Sequence, residues 1–440
     1  MPEVMPYRLS IASELERFRP ELEYACAFLD RCYFVQRSSQ AQLVLHYGPG
    51  APAGALTVPA VLFPNGVCLK PDGIHPERKV LRDLETAGEP TRLLPIGNQP
   101  SVVQGRYTYD AMGLIFLMLS RLEERDSPDR DRYGRFPIQS AMAFRLGCYA
   151  DPLVDRAARD LAVALTGQSR PANRTSYDFY LTHDVDSLRG YHRPLELLRW
   201  AIGDVFKRHH PQQAWRRLYA GYLSGEPWRS FRDLMNAAER VGRPGRFYFM
   251  GPSAISMDSP YALTMRKLLK KICDEVVARG HVVGFHPGFA TASDAAVWRR
   301  QRDGLEEVIG RPVREGRQHV LQYDAAVTPD IWDQAGMELD CTLAFPEASG
   351  FRSGTCRPYQ AYSLRHRRAL SLIQIPTAIM DFSFWGGKYR HVPLEDALNE
   401  CATAVDVCKR YGGTLVVLYH TGQTDPVVTT FYRSMLELIQ

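Results

Sequence analysis

The chain of 440 residues carries 54 Lys and Arg against 49 Asp and Glu, a net charge of +5, with 45% hydrophobic and 23% charged residues. That balance belongs to a folded globular protein, excludes a disordered or fibrous one, and is too weakly basic to imply a nucleic-acid partner. The length exceeds one ordinary core and implies two domains.

No membrane span is expected, because the longest apolar run, Ala111 to Leu119, falls well short of the roughly 18 residues a span requires. The first twenty residues lack the basic and apolar regions of a secretory signal, which makes the cytoplasm the expected location. The 9 cysteines form no C-x-x-C pair and read as reduced thiols.

In chain order, residues 1–170 mix short strands and helices, an α+β domain whose role the sequence leaves unknown. "AQLVLHYG" and "PAVLFP" are brief apolar runs between Gly and Pro, and Met112, Ile115, Phe116, Leu119 and Leu122 recur at helical spacing within Tyr109 to Glu124. The charge-rich run Glu123 to Arg135 is expected to be a solvated loop. The polar stretch "TGQSRPANRTS", Thr166 to Ser176, marks the boundary.

A second domain, residues 175–440, alternates short apolar strands with amphipathic helices, the texture of a mostly parallel sheet or barrel. The expected strands are Asp178 to Thr182, Arg246 to Met250, Val282 to Phe285, Val313 to Glu315, Leu339 to Leu343, Leu372 to Ile375 and Thr414 to Tyr419. A helical insertion at about 189–244 interrupts them. Its first part, Arg189 to Arg217, carries seven Lys or Arg against Glu196 and Asp204, and a helix there with Leu195, Leu198, Ile202, Val205 and Phe206 is expected either to pack on the barrel or to touch an anionic membrane surface.

Each strand leads into a polar motif, and in (β/α) barrels chemistry collects at the C-terminal rim. "HDVD" ends the first strand. Asp184 and Asp186 lie two apart, on one side of an extended chain, and either share a site or cap a helix or turn. His286 in "GFHPGFA", Arg317 and His319 in "GRQH", and His420 in "VVLYH" end other strands. Cys356 is read as a packed loop thiol, since a thiolate mechanism leaves the Asp pair unexplained.

With "THDVD", "HPGFA", "GRQH" and "VVLYH" in this order, residues 177–440 resemble the NodB-type polysaccharide deacetylases of carbohydrate esterase family 4, and "GFRSGTCRPY" suggests the branch with a small N-terminal domain. The resemblance implies a distorted (β/α)7 barrel and a metal-dependent hydrolase, most simply with zinc, that removes an N-acetyl or similar acyl group from an amino sugar of a bacterial glycan or its precursor. It implies Asp184 as base, Arg317 as its partner, His420 as acid, and Asp186 and His286 as metal ligands. Ala290 stands where the family has a second histidine. His319 is the expected replacement and His183 its rival, with solvent or no metal as the remaining alternative. Arg352, Tyr359, Asp381 and Trp385 are the expected substrate contacts, Asp381 and Asp340 being candidates also to orient His420. Two other readings stay open: a non-sugar amide hydrolase on the same barrel, and a glycan-binding barrel without turnover.

Overall fold

The computed structural model describes residues 3–85, 93, 102–103, 106–188, 194–219, 229–386, 390–423 and 425–440. Strands β1 (Met5–Ile11), β2 (Val35–Arg37), β3 (Val44–Tyr47), β4 (Leu56–Val58), β5 (Val67–Lys70), β6 (Gly73–Pro76), β7 (Val102–Val103) and β8 (Arg106–Tyr107) belong to the first part of the chain. Six of them form one sheet in the order β2-β1-β3-β4-β8-β7, parallel except at β7 and β8, while β5 and β6 pair as a hairpin. "AQLVLHYG" supplies β3. "PAVLFP", expected as a strand, does not become one, because Asp110 Oδ2 accepts the N–H groups of Val61 (3.0 Å) and Leu62 (2.9 Å) that a ladder would use.

The same carboxylate caps the helix Ala111–Leu119 through Gly113 N–H (2.7 Å). Every residue of that helix is buried, so its apolarity serves a core and not a bilayer. It ends earlier than its periodicity predicts, where Arg121 takes a φ of 56°.

The second part forms a curled α/β half-barrel of nine strands: β9 (Asp178–Val185), β10 (Gly245–Phe249), β11 (Val282–Phe285), β12 (Glu315–Gly316), β13 (Leu339–Asp340), β14 (Tyr359–Ser363), β15 (Arg368–Gln374), β16 (Thr377–Met380) and β17 (Thr414–Leu418). Their order is β14-β15-β13-β12-β11-β10-β9-β17-β16, and only β14 runs antiparallel to its neighbour. The seven expected strands are present with shifted ends. Thus β13 stops at Asp340, whose Oδ1 accepts Thr342 N–H at 2.8 Å and turns the chain out of the ladder. Strands β14 and β16 were not expected.

β9 lies between β10 and β17, buried on both faces like the all-buried β17. The helices Arg266–Ala278, Ala295–Ile309, Leu394–Tyr411 and Pro426–Leu438 contribute buried faces to the core on this sheet. Asp294 and Asp425 cap two of these helices, and Gly310 and Gly412, at φ 72° and 62°, end two of them.

The run Glu123 to Arg135, expected to be solvated, is buried at its start, Glu123 to Arg125, and at Ser127 and Arg135, while alternate residues between them are exposed. Glu124 is 3% exposed and lies between two guanidiniums: Arg352 Nη2 at 2.7 Å and Arg121 Nε at 2.9 Å. Two more buried carboxylates of the first part make similar crossings. Asp155 accepts from Thr355 Oγ1 (2.9 Å) and Cys356 N–H (2.8 Å), and Glu21 accepts from Tyr362 (3.0 Å) and Arg367 (2.7 Å). Residues 352–367 are therefore the seam between the two parts.

Candidate active site

The C-terminal ends of the parallel strands deliver the polar motifs to one rim. Asp184, the penultimate residue of β9, is buried, and Asp186 follows just beyond the strand. Between them in sequence, Val185 turns into the core, as strand alternation requires. β11 leads to His286, β12 to Arg317 and His319, β16 to Asp381, and β17 to His420.

Arg317 has no solvent exposure. It donates to Asp184 Oδ1 (2.8 Å), Thr182 Oγ1 (2.8 Å), Thr377 Oγ1 (2.9 Å) and the Cys341 carbonyl (2.9 Å). Burial opposes its charge, but Asp184 outweighs that and raises its pKa. A guanidinium fixed on four sides holds one carboxylate oxygen of Asp184 in place.

Three acceptors converge beside this pair. His286 Nδ1 lies 2.6 Å from the Arg317 carbonyl and His319 Nε2 lies 3.1 Å from the Met257 carbonyl. Carbonyls only accept, so these nitrogens carry the protons, and lone pairs fall on His286 Nε2 and His319 Nδ1, which lie 3.1 Å apart. Asp186 Oδ1 sits 3.5 Å from the first and 3.6 Å from the second. That oxygen is shielded from solvent and has no hydrogen-bond partner, although the Asp186 side chain as a whole is 43% exposed.

Three ligand atoms within 4.8 Å of one another, with no proton assigned between them, form a group that can hold a cation. Asp and His donors suit a zinc-like divalent ion, and the backbone carbonyls fix both rings as outer-shell partners do. Electrostatics agree. Burial works against a charged His286, yet Asp184 and Asp186 overcome it and raise its pKa. Burial likewise resists ionisation of Asp186, and the surrounding histidines, His286 foremost, hold its carboxyl below the usual range.

At the other side of the rim, His420 Nδ1 lies 2.6 Å from Asp381 Oδ1, and its N–H donates to Asp381 Oδ2 at 3.0 Å. Gln423 Nε2 also donates to that oxygen (3.1 Å), and Phe382 stacks on the imidazole at 4.0 Å. Burial would lower the pKa of His420, but Asp381, with Asp186 and Asp184 behind it, raises it to about 9.

Five candidates belong elsewhere. His183, the rival ligand, points away from the Asp pair: Nδ1 bonds the Tyr419 carbonyl (3.0 Å), the ring stacks on Phe247, and burial lowers its pKa to about 4. Arg352 and Tyr359 do not face a sugar, being fully buried in the seam, with Arg352 committed to Glu124. Trp385 packs on Phe384 and Phe431 and donates Nε1–H to the Val392 carbonyl (2.9 Å). Asp381, also read as a sugar contact, is occupied by His420. Asp340 is buried against Thr342 and Gln374 and does not touch His420. Cys356 is fully buried, and burial holds its thiol protonated.

Thr182 and Thr377 were not singled out from the sequence. Thr182 stands inside "LTHDVD", where a hydroxyl two residues before a carboxylate on the same strand face could have been read as its neighbour. Thr377 carried no local signal.

Residues 16–170 match a family model described as a family of unknown function, DUF7033. Among curated proteins none matches the chain. Among solved structures, a candidate polysaccharide deacetylase from Mycobacterium smegmatis is 17% identical with a TM-score of 0.40, over 60% of this chain and 83% of that one. A mutant CE4 family pseudoenzyme with restored enzymatic activity is 11% identical, with a TM-score of 0.30, over 60% and 62%. The polysaccharide deacetylase Bc1974 from Bacillus cereus is 12% identical, with a TM-score of 0.27, over 60% and 86%.

Proposed function

We propose that this chain is a metal-dependent hydrolase that removes an N-acetyl or similar acyl group from an amino sugar in a glycan or glycan precursor. The observation that carries this reading is the convergence of Asp186 Oδ1, His286 Nε2 and His319 Nδ1 on one space, between an Arg-held carboxylate and an Asp-held histidine. Amide hydrolysis needs an activated water, a stabilised oxyanion and a proton for a poor leaving group. A divalent ion held by Asp186, His286 and His319 supplies Lewis acidity and brings the pKa of water near 7.

The chain's own groups do the rest. Asp184, oriented by Arg317, accepts the proton of the attacking water. His420, kept cationic by Asp381, donates a proton to the departing amine. His319 takes the place that Ala290 leaves without a ligand.

Element analysis of the purified protein with acetate release from N-acetylglucosamine oligomers tests this. One divalent ion per chain and acetate from the sugar but not from simple acetamides is the expected result. Metal with release from simple amides alone moves the assignment to a non-sugar amide hydrolase. Absence of both moves it to a binding module.

A further inference from the structure

The insertion after β9 contains two helices packed on each other, Pro194–Phe206 and Pro211–Leu218. On the first, Ala201 and Asp204 are buried. Leu198, Ile202, Val205 and Phe206 form a separate stripe, at steps of four, three and one, and all are exposed, Phe206 at 76%. Trp215 on the second helix is 63% exposed. A helix that only packs on a protein turns its apolar stripe inward and its polar face to water. Here an apolar stripe is left outside, which calls for a covering partner.

The charges around it select one. Arg199 and Lys207 are exposed, as is Arg208, while the acidic Asp204 is buried and paired with Arg208. A second copy in a two-fold contact would set this cationic patch against itself. An anionic bilayer accepts both features at once, the stripe at the boundary of headgroups and acyl chains and the cations among the phosphates.

We propose that this helical pair docks the protein on an anionic lipid surface. The chain leaves the sheet after Val185, Leu188 lies two residues past Asp186, and six steps of chain keep Pro194 within about 22 Å of Leu188. Docking therefore holds the rim near the bilayer. This proposal stands independently of the hydrolase reading.

Flotation of the full chain with vesicles of phosphatidylcholine containing one quarter phosphatidylglycerol, and with phosphatidylcholine alone, tests it. The chain is expected to float with the anionic vesicles and far less with the neutral ones. The double variant Phe206→Ser/Trp215→Ser should bind about tenfold more weakly or worse. Arg199→Gln and Lys207→Gln should each lower binding about fivefold. All four positions are exposed, so unchanged thermal melting is expected in every variant. A wild-type chain left in the soluble fraction overturns the proposal, as does binding that neither pair of substitutions alters. So does self-association abolished by Phe206→Ser in a chain that ignores vesicles, which assigns the stripe to a second copy.

Discussion

Asp184 is held by Arg317 and His420 by Asp381, and those pairings set their expected behaviour. Asp184→Asn and His420→Ala should each lower turnover by roughly 100- to 10,000-fold while the metal content, measured by elemental analysis, stays at the parent level. Asp186→Asn and His319→Ala should instead lose metal and activity together, because each removes one of the three converging ligand atoms. The pH profile follows from Asp381. His420 carries its proton below about 9, so an acid role predicts that turnover falls as pH rises through that value. In Asp381→Asn the partner charge is gone, and the alkaline limb should move down toward the ordinary histidine value of about 6.5. An alkaline limb that stays put in this variant would remove His420 as the proton donor.

Strand β9 shows how one element does two tasks. One face carries Thr182 and Asp184, and the other carries His183 into the core beside Phe247 and Tyr432. His183 is held neutral, with a pKa of about 4 in the folded chain against about 6.5 unfolded. The unfolded state therefore binds more protons in that window, and stability should fall as pH drops below about 6.5, the loss being complete near 4 and amounting to about 3 kcal/mol. Urea denaturation across this range should show the slope, and His183→Gln should flatten it. The segment 352–367 is a second such element. Glu124→Gln leaves Arg121 and Arg352 buried without their shared carboxylate and should cost about 3–5 kcal/mol. KM of the folded fraction should not change, whereas a sugar-binding Arg352 would move it.

Over the whole molecule, the apolar cores do not respect the boundary expected at Thr166 to Ser176. Leu343, Tyr359, Tyr362 and Leu364 of the second part complete the apolar cluster around the helix Ala111–Leu119. Glu21, Glu124 and Asp155 satisfy arginines and N–H groups across the seam. Residues 175–440 expressed alone should accordingly be insoluble or lose cooperative unfolding, because they expose this apolar surface together with Arg352, Arg357 and Arg367. A soluble fragment with the parent melting temperature would show the two parts to be independent.

Local pattern was enough to read the alternation of buried strands and amphipathic helices, the strand ends at Asp184, His286, Arg317 and His420, and the two-residue spacing that puts Asp184 and Asp186 on one side of β9. These are properties of short windows, where apolar periodicity and the step of two along a strand act directly. What only tertiary structure decided is which groups meet. The motif around Arg352 looked like site chemistry in sequence, yet its partner is a carboxylate 228 residues away. His183 and His319 were equal in kind, and the pleat of β9 together with the chain path after β12 sends one into the core and the other beside Asp186. Burial, charge pairing and the direction of a lone pair depend on neighbours brought in from distant strands, which a linear pattern does not contain.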